Sequence, residues 1–224
     1  MQAIMETLFD IVYLCTVIIV GIVMVKRAGG NRLYRLFGLM AVVLGCGDAF
    51  HLIPRAYALM TTGLEANAAA LGFGKLVTSI TMTVFYVILY AIWRIRYSVR
   101  GQKGLTAAVG ILAGVRVVLC CFPQNDWFNY HAPLSWGIWR NIPFALLGLL
   151  IIVLFFRESH RQNDRSFRYL WLAVLLSFGF YIPVVLFSAT FPIVGVLMIT
   201  KPVAYVWIVL MGFFDQKKQL AGQK

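Results

Sequence analysis

Long apolar runs separated by short polar breaks dominate the chain. Seven runs, at about 5–25, 34–54, 68–93, 104–122, 135–156, 167–190 and 193–214, come close to or exceed the roughly 20 residues that cross ~30 Å of hydrocarbon at 1.5 Å per residue. None shows the strict alternation of a half-buried strand. The pattern predicts an all-α integral membrane protein with seven transmembrane helices. No linker or low-complexity stretch interrupts it, so a single domain over 1–224 is expected.

The breaks alternate in character. The first holds Lys26, Arg27, Arg32 and Arg35, the third Arg94, Arg96, Arg100 and Lys103, and the fifth Arg157, Arg161, Arg165 and Arg168, with Lys217, Lys218 and Lys224 in the tail. The breaks between them hold almost no Lys or Arg. Cytoplasmic connections concentrate basic residues, so the N-terminus is expected outside and the C-terminus in the cytoplasm. Residues 122–137, FPQNDWFNYHAPLSWG, form an outer connection rich in the aromatics that favour a membrane interface. The other outer turns are 61–66 (TTGLEA) and the tight 188–192 (SATFP).

Composition agrees: 61% hydrophobic, 12% charged and a mean hydropathy of +0.83, against about 25% charged in soluble domains. The net charge of +12 lies in short clusters between apolar runs, which argues for the lipid bilayer as partner and against nucleic acid. Met1 to Asp10 has no basic residue, unlike the start of a signal peptide, so the first helix is expected to be retained. Cys15, Cys46, Cys120 and Cys121 form no CxxC and no Cys/His cluster, and they read as small buried hydrophobes with no metal or cofactor role.

A repeat is visible when the chain is shifted on itself. At 133 positions Leu14, Ile18, Ile19 and Val20 meet Leu147, Ile151, Ile152 and Val153, and Arg32, Tyr34, Arg35 and Leu39 meet Arg165, Phe167, Arg168 and Leu172. At 119 positions Ile80, Thr81, Val84, Tyr86 and Val87 meet Ile199, Thr200, Val203, Tyr205 and Val206. The expected plan is two parallel bundles, 5–93 and 135–214, joined by a linker helix at 104–122. Repeats of this kind place binding sites at their interface in transporters.

Five of the twenty basic residues, Arg55, Lys75, Arg116, Arg140 and Lys201, sit within or at the outer end of apolar runs. A charge inside a bilayer costs roughly 2.5 kcal/mol or more and normally faces an internal cavity. Asp48, His51 and Arg55 are spaced i, i+3, i+7 and share a helical face. Counting from the segment ends puts Asp48, Lys75, Arg116, Arg140, Tyr181 and Lys201 in the outer half, with Asp10 and Asp48 as the acids at that depth. The expectation is an outward-facing cationic cavity lined by Asp48, His51, Lys75, Arg116, Arg140, Tyr181 and Lys201. Arg116 and Arg140 would hold an anionic group, and Asp48 would pair with Lys201. A transporter or binding protein for a small polar or anionic solute in the cell membrane fits this arrangement best, with no catalytic residues.

The plan of three helices, a linker and three more resembles that of sugar transporters and nicotinamide-riboside transporters, although no substrate motif of either is present. Two other resemblances imply other functions. Lys201 in the last segment, with Tyr181 near Pro183, is similar to the Schiff-base lysine and aromatic–proline pattern of microbial rhodopsins. That chain would carry retinal, but Leu197 and Lys75 stand where acids are expected, leaving Asp48 as counterion. GCGDAFHL, residues 45–52, resembles a glycine-rich, histidine-bearing helix end of alkaline ceramidases and adiponectin receptors. Their zinc hydrolysis needs several intramembrane histidines, whereas His131 and His160 lie in connections and leave His51 alone.

Overall fold

The computed structural model describes residues 2–187 and 197–222. Among these are seven α-helices and no strand: α1 (Gln2–Lys26), α2 (Arg32–Met60), α3 (Ala68–Arg96), α4 (Lys103–Cys121), α5 (Leu134–Arg161), α6 (Leu170–Phe187) and α7 (Leu197–Ala221), with a 3₁₀ turn at Pro123–Asn125. The tight turn expected at 188–192 and the adjoining segment ends fall outside the described residues.

Helices α1 to α5 are each long and apolar enough to cross a membrane, while α6 is apolar but shorter, Leu170–Leu186. Their outer surface has the character that lipid requires. Along α1 the exposed side chains include Ile4, Leu8, Ile11, Val12 and Ile19, each more than half exposed. Apolar faces of this extent would aggregate in water.

The core is aromatic. Phe37, Phe85, Tyr86, Trp93, Phe144, Phe155, Phe167 and Tyr205 are all essentially inaccessible. Phe85 and Tyr205 meet edge to face at 5.4 Å, as do Tyr86 and Phe144 at 5.1 Å, a favoured arrangement for ring quadrupoles. Glycine brings α1 and α2 together: a Cβ on Gly38 would stand 2.6 Å from the Gly21 carbonyl oxygen. Bare backbones at such a crossing allow the close packing on which helices in lipid depend. Chain neighbours pack in sequence from α1 to α7, and α1 also packs on α7 and α3 on α5.

The end of the bundle that gathers the basic connections is closed by a polar cluster. Arg96 donates to both Asp164 oxygens at 2.8 and 3.0 Å and to Asp215 Oδ2 at 2.9 Å. The Tyr34 hydroxyl donates to the same Asp215 oxygen at 2.7 Å. The guanidinium lies 4.6 Å over the Phe167 ring, which stacks on Phe37. Residues from α2, α3, α7 and the α5–α6 connection are thereby fastened together. Burial works to raise the Asp164 pKa, but Arg96 and the backbone N–H groups of Phe167 and Ser166 prevail and hold the carboxyl below its usual range. Reading Arg96 as one more flanking charge is corrected here: it is the centre of a network. The cysteines also differ from expectation, since Cys120 is buried while Cys15, Cys46 and Cys121 are exposed on the bundle surface.

Candidate functional site

A chamber of about 90 Å³ opens in the half of the bundle opposite that cluster. Helix α1 lends it Glu6 and Asp10, and α2 lends Asp48, His51 and Arg55. Thr78 of α3, Tyr181 of α6, and Lys201 and Tyr205 of α7 complete its polar wall. Within α2 the one-face spacing brings all three of its polar residues to the chamber, since i, i+3 and i+7 lie one above another.

A proline interrupts the internal hydrogen bonding of α2 beside this face. Pro54 lies inside α2 and has no N–H for the carbonyl of Phe50, four residues earlier. Gly74 of α3 packs against that carbonyl, and a Cβ there would also strike the His51 backbone. Thr78, one turn on, donates to the Gly47 carbonyl at 3.0 Å. The α2–α3 seam thus fixes the polar face of α2 from behind.

Contacts among the charged groups are selective. Arg55 is paired with Glu6, an acid that counting Asp10 and Asp48 alone had overlooked. Asp48 Oδ2 accepts from the buried Tyr13 hydroxyl at 2.6 Å. The anticipated Asp48–Lys201 ion pair does not occur among the described contacts. Lys201 Nζ instead lies 4.4 Å from the Tyr181 ring and 5.6 Å from the Tyr205 ring, positions where an ammonium is drawn to the aromatic face. His51 Nδ1 is buried without a hydrogen-bond partner among the described residues. Asp10 is buried too, 7% exposed.

Lys75, Arg116 and Arg140 do not line this chamber. Lys75 is exposed. Arg140 donates to Asn125 Oδ1 at 2.8 Å and lies 4.2 Å over the Trp127 ring. Asn125 is fully buried, and its amide nitrogen donates to the carbonyls of Leu119 and Phe122 at 2.7 and 2.8 Å. It therefore caps the end of α4 and steadies Arg140 at once. Arg116 is 2% exposed, with Nε and Nη1 lacking a hydrogen-bond partner among the described residues, and its guanidinium sits 3.4 Å above Phe144. Tyr181 joins the two regions: its ring lies under Lys201, and its hydroxyl donates to Asn141 at 3.2 Å.

The seven anticipated residues therefore divide. Asp48, His51, Tyr181 and Lys201 meet in the chamber, whereas Lys75, Arg116 and Arg140 form a separate basic flank on α3, α4 and α5. The chamber itself holds three carboxylates beside Arg55 and Lys201, a mixed rather than a purely cationic lining. Glu6, Tyr13 and Asn125 gave no usable signal, because their roles depend on which helix each one meets. Among the described residues no three His, Cys, Asp or Glu side chains converge as metal donors. No protein-family model matches this chain, and neither curated proteins nor solved structures yield a match.

Proposed function

We propose that the protein is a multi-pass cell-membrane protein of seven spans that binds a small polar or ionised solute from outside and transports it. The observation that carries this reading is Arg116, a buried guanidinium whose Nε and Nη1 have no hydrogen-bond partner among the described residues, on the flank next to a polar chamber. An arginine cannot shed its proton to relieve such a position, and a carboxylate or phosphate with matched geometry is its natural partner. Arg140 stands ready on the same flank.

Transport, rather than binding alone, is supported by the pairing of helices. Under the expected repeat, α1 corresponds to α5 and α3 to α7, so the α1–α7 and α3–α5 contacts are one contact seen twice. Asn31 and Asp164, 133 positions apart, make the same local bond. Each accepts the backbone N–H two residues on, from Leu33 at 2.9 Å and Ser166 at 3.0 Å. Arg96 and Asp215, 119 positions apart, pair with each other. A chamber open on one side and a polar cluster closing the other resemble one state of an alternating-access cycle. In that reading the cluster end is cytoplasmic and the chamber end external.

The retinal reading finds less support. Lys201 is placed for a Schiff base in sequence, but a chamber of about 90 Å³ is well below the roughly 300 Å³ at which drug-sized pockets begin.

The test is extraction and mass spectrometry of small molecules held by the purified protein, comparing wild type with Arg116→Met and Lys201→Met. A polar metabolite retained by wild type and lost from folded Arg116→Met is the expected result. Equal retention by that variant would remove Arg116 from the site. A visible absorption band abolished by Lys201→Met would replace the transport reading with a chromophore.

A further inference from the structure

Charges of both signs stand open in and beside the chamber without neutralising each other. On the acidic side Glu6 is committed to Arg55, and Asp48 gives Oδ2 to Tyr13. The second Asp48 oxygen and the whole of Asp10, buried on α1, have no hydrogen bond or ion pair among the described residues. On the basic side Lys201 has two aromatic faces and no carboxylate within ion-pair reach among those residues. The undescribed 188–196, SATFPIVGV, contains no acid that could serve it. Arg116 lies outside the chamber, with Nε and Nη1 buried and without a hydrogen-bond partner among the described residues. The Phe144 ring beneath it meets Tyr181 edge-on at 6.3 Å.

A singly charged guest fits this arrangement poorly. An anion held by Lys201 would face Asp10 and Asp48, and a cation held by those acids would face Lys201; either leaves one buried charge opposed. A guest with a positive and a negative group satisfies both sides. Its size is bounded by the chamber, about 90 Å³, room for a few waters or one compact molecule.

Resting on the transport reading above, we propose that the solute is a compact zwitterion. Its ammonium is received by Asp10 and Asp48, and its carboxylate or phosphate by Lys201. Tyr181 lines the chamber beside Lys201 and offers the guest an aromatic face. An amino acid and a free phospholipid-type headgroup share this chemistry.

The full chain in nanodiscs distinguishes them by ligand-dependent thermal stabilisation with three matched sets. The zwitterions are glycine, L-serine and phosphoethanolamine. The anions are N-acetyl-L-serine and inorganic phosphate, and the cations are L-serine methyl ester and ethanolamine. At least one zwitterion should stabilise saturably, with its single-charge analogues weaker by about tenfold or more, since a lost contact of ~1.4 kcal/mol is one factor of ten. Preference for phosphoethanolamine over the amino acids would assign the headgroup. In Asp10→Asn, or Asp48→Asn should the first not fold, the advantage of the zwitterion over its N-acetyl analogue should fall severalfold. Anions binding as tightly as zwitterions, with dependence on Arg116, would overturn the zwitterion and leave the anionic-solute reading standing. Cations binding as tightly, or no response from any set, would also overturn it, and the transport reading would then rest on the co-purification result.

Discussion

Neutralising Asp164 should loosen the basic end of the bundle measurably. Asp164 and Asp215 have side chains only 7% and 6% exposed, and Arg96 between them is 21% exposed. Removing one member of a buried pair costs about 3–5 kcal/mol. Three features reduce that figure for Asp164→Asn: water reaches part of Arg96, Arg96 keeps Asp215, and an asparagine still accepts from Ser166 and Phe167. The expected loss is about 2–3 kcal/mol, below the ~3–6 kcal/mol that two charge-assisted bonds at ~1.5–3 kcal/mol each would supply without those reductions. Arg96→Gln should cost more, about 3–5 kcal/mol, because it leaves two buried carboxylates facing each other. Equilibrium unfolding in mixed micelles measures both, and the double variant gives their coupling. Glu158→Gln is the control, since its partner Arg161 is 67% exposed and such pairs contribute ~0.5 kcal/mol or less. Equal losses for Asp164→Asn and Glu158→Gln would refute the view that this cluster fastens the helices.

Three further outcomes are expected. Asp164 is held below its usual range, so its contribution is complete above the unfolded value of about 3.9 and disappears as pH falls through the lower folded value. Melting curves of wild type should therefore fall more steeply than those of Asp164→Asn below about pH 4 and run parallel to them near neutrality; parallel curves throughout would contradict this. Arg116→Met should leave stability unchanged or raise it by up to about 1–4 kcal/mol, because an unpaired buried charge is replaced by an apolar chain, and a clear loss in the unfolding assay would instead mean that Arg116 is structural. Asn125→Ala should cost about 1–3 kcal/mol by leaving helix-end carbonyls and Arg140 without a partner, with hydrogen exchange rising first at the end of α4.

Much of the architecture was legible because lipid imposes a simple rule: apolar runs of sufficient length with charges confined to their ends. Helices α2 to α6 begin within three residues of the expected positions, though α2 runs on to Met60 past Pro54 and α5 to Arg161. Those extensions carry polar residues that the hydrophobic pattern alone would exclude, and hydrogen bonding within the helix sustains them. The site was legible only in part. Asp48 and His51 are on one face because of helical period, which sequence reveals. Glu6 with Arg55 and Tyr13 with Asp48 are contacts between α1 and α2, separated by 49 and 35 positions, and no local pattern signals them. Arg96 was misread for the same reason: its partners arrive from two distant segments.

The meeting of Pro54, the Phe50 carbonyl and Gly74 bears on how this chain can vary over evolutionary time. Proline removes a hydrogen-bond donor from one helix, and the facing glycine leaves the space through which the next helix approaches the exposed carbonyl. A side chain acquired at 74 while proline remains at 54 would push α3 away from an oxygen that has lost its usual donor four residues on. Loss of the proline alone would return that donor and make the close approach unnecessary. The two positions, twenty residues apart, are therefore expected to drift as a pair, proline with glycine or neither, in any lineage that keeps His51 facing the chamber.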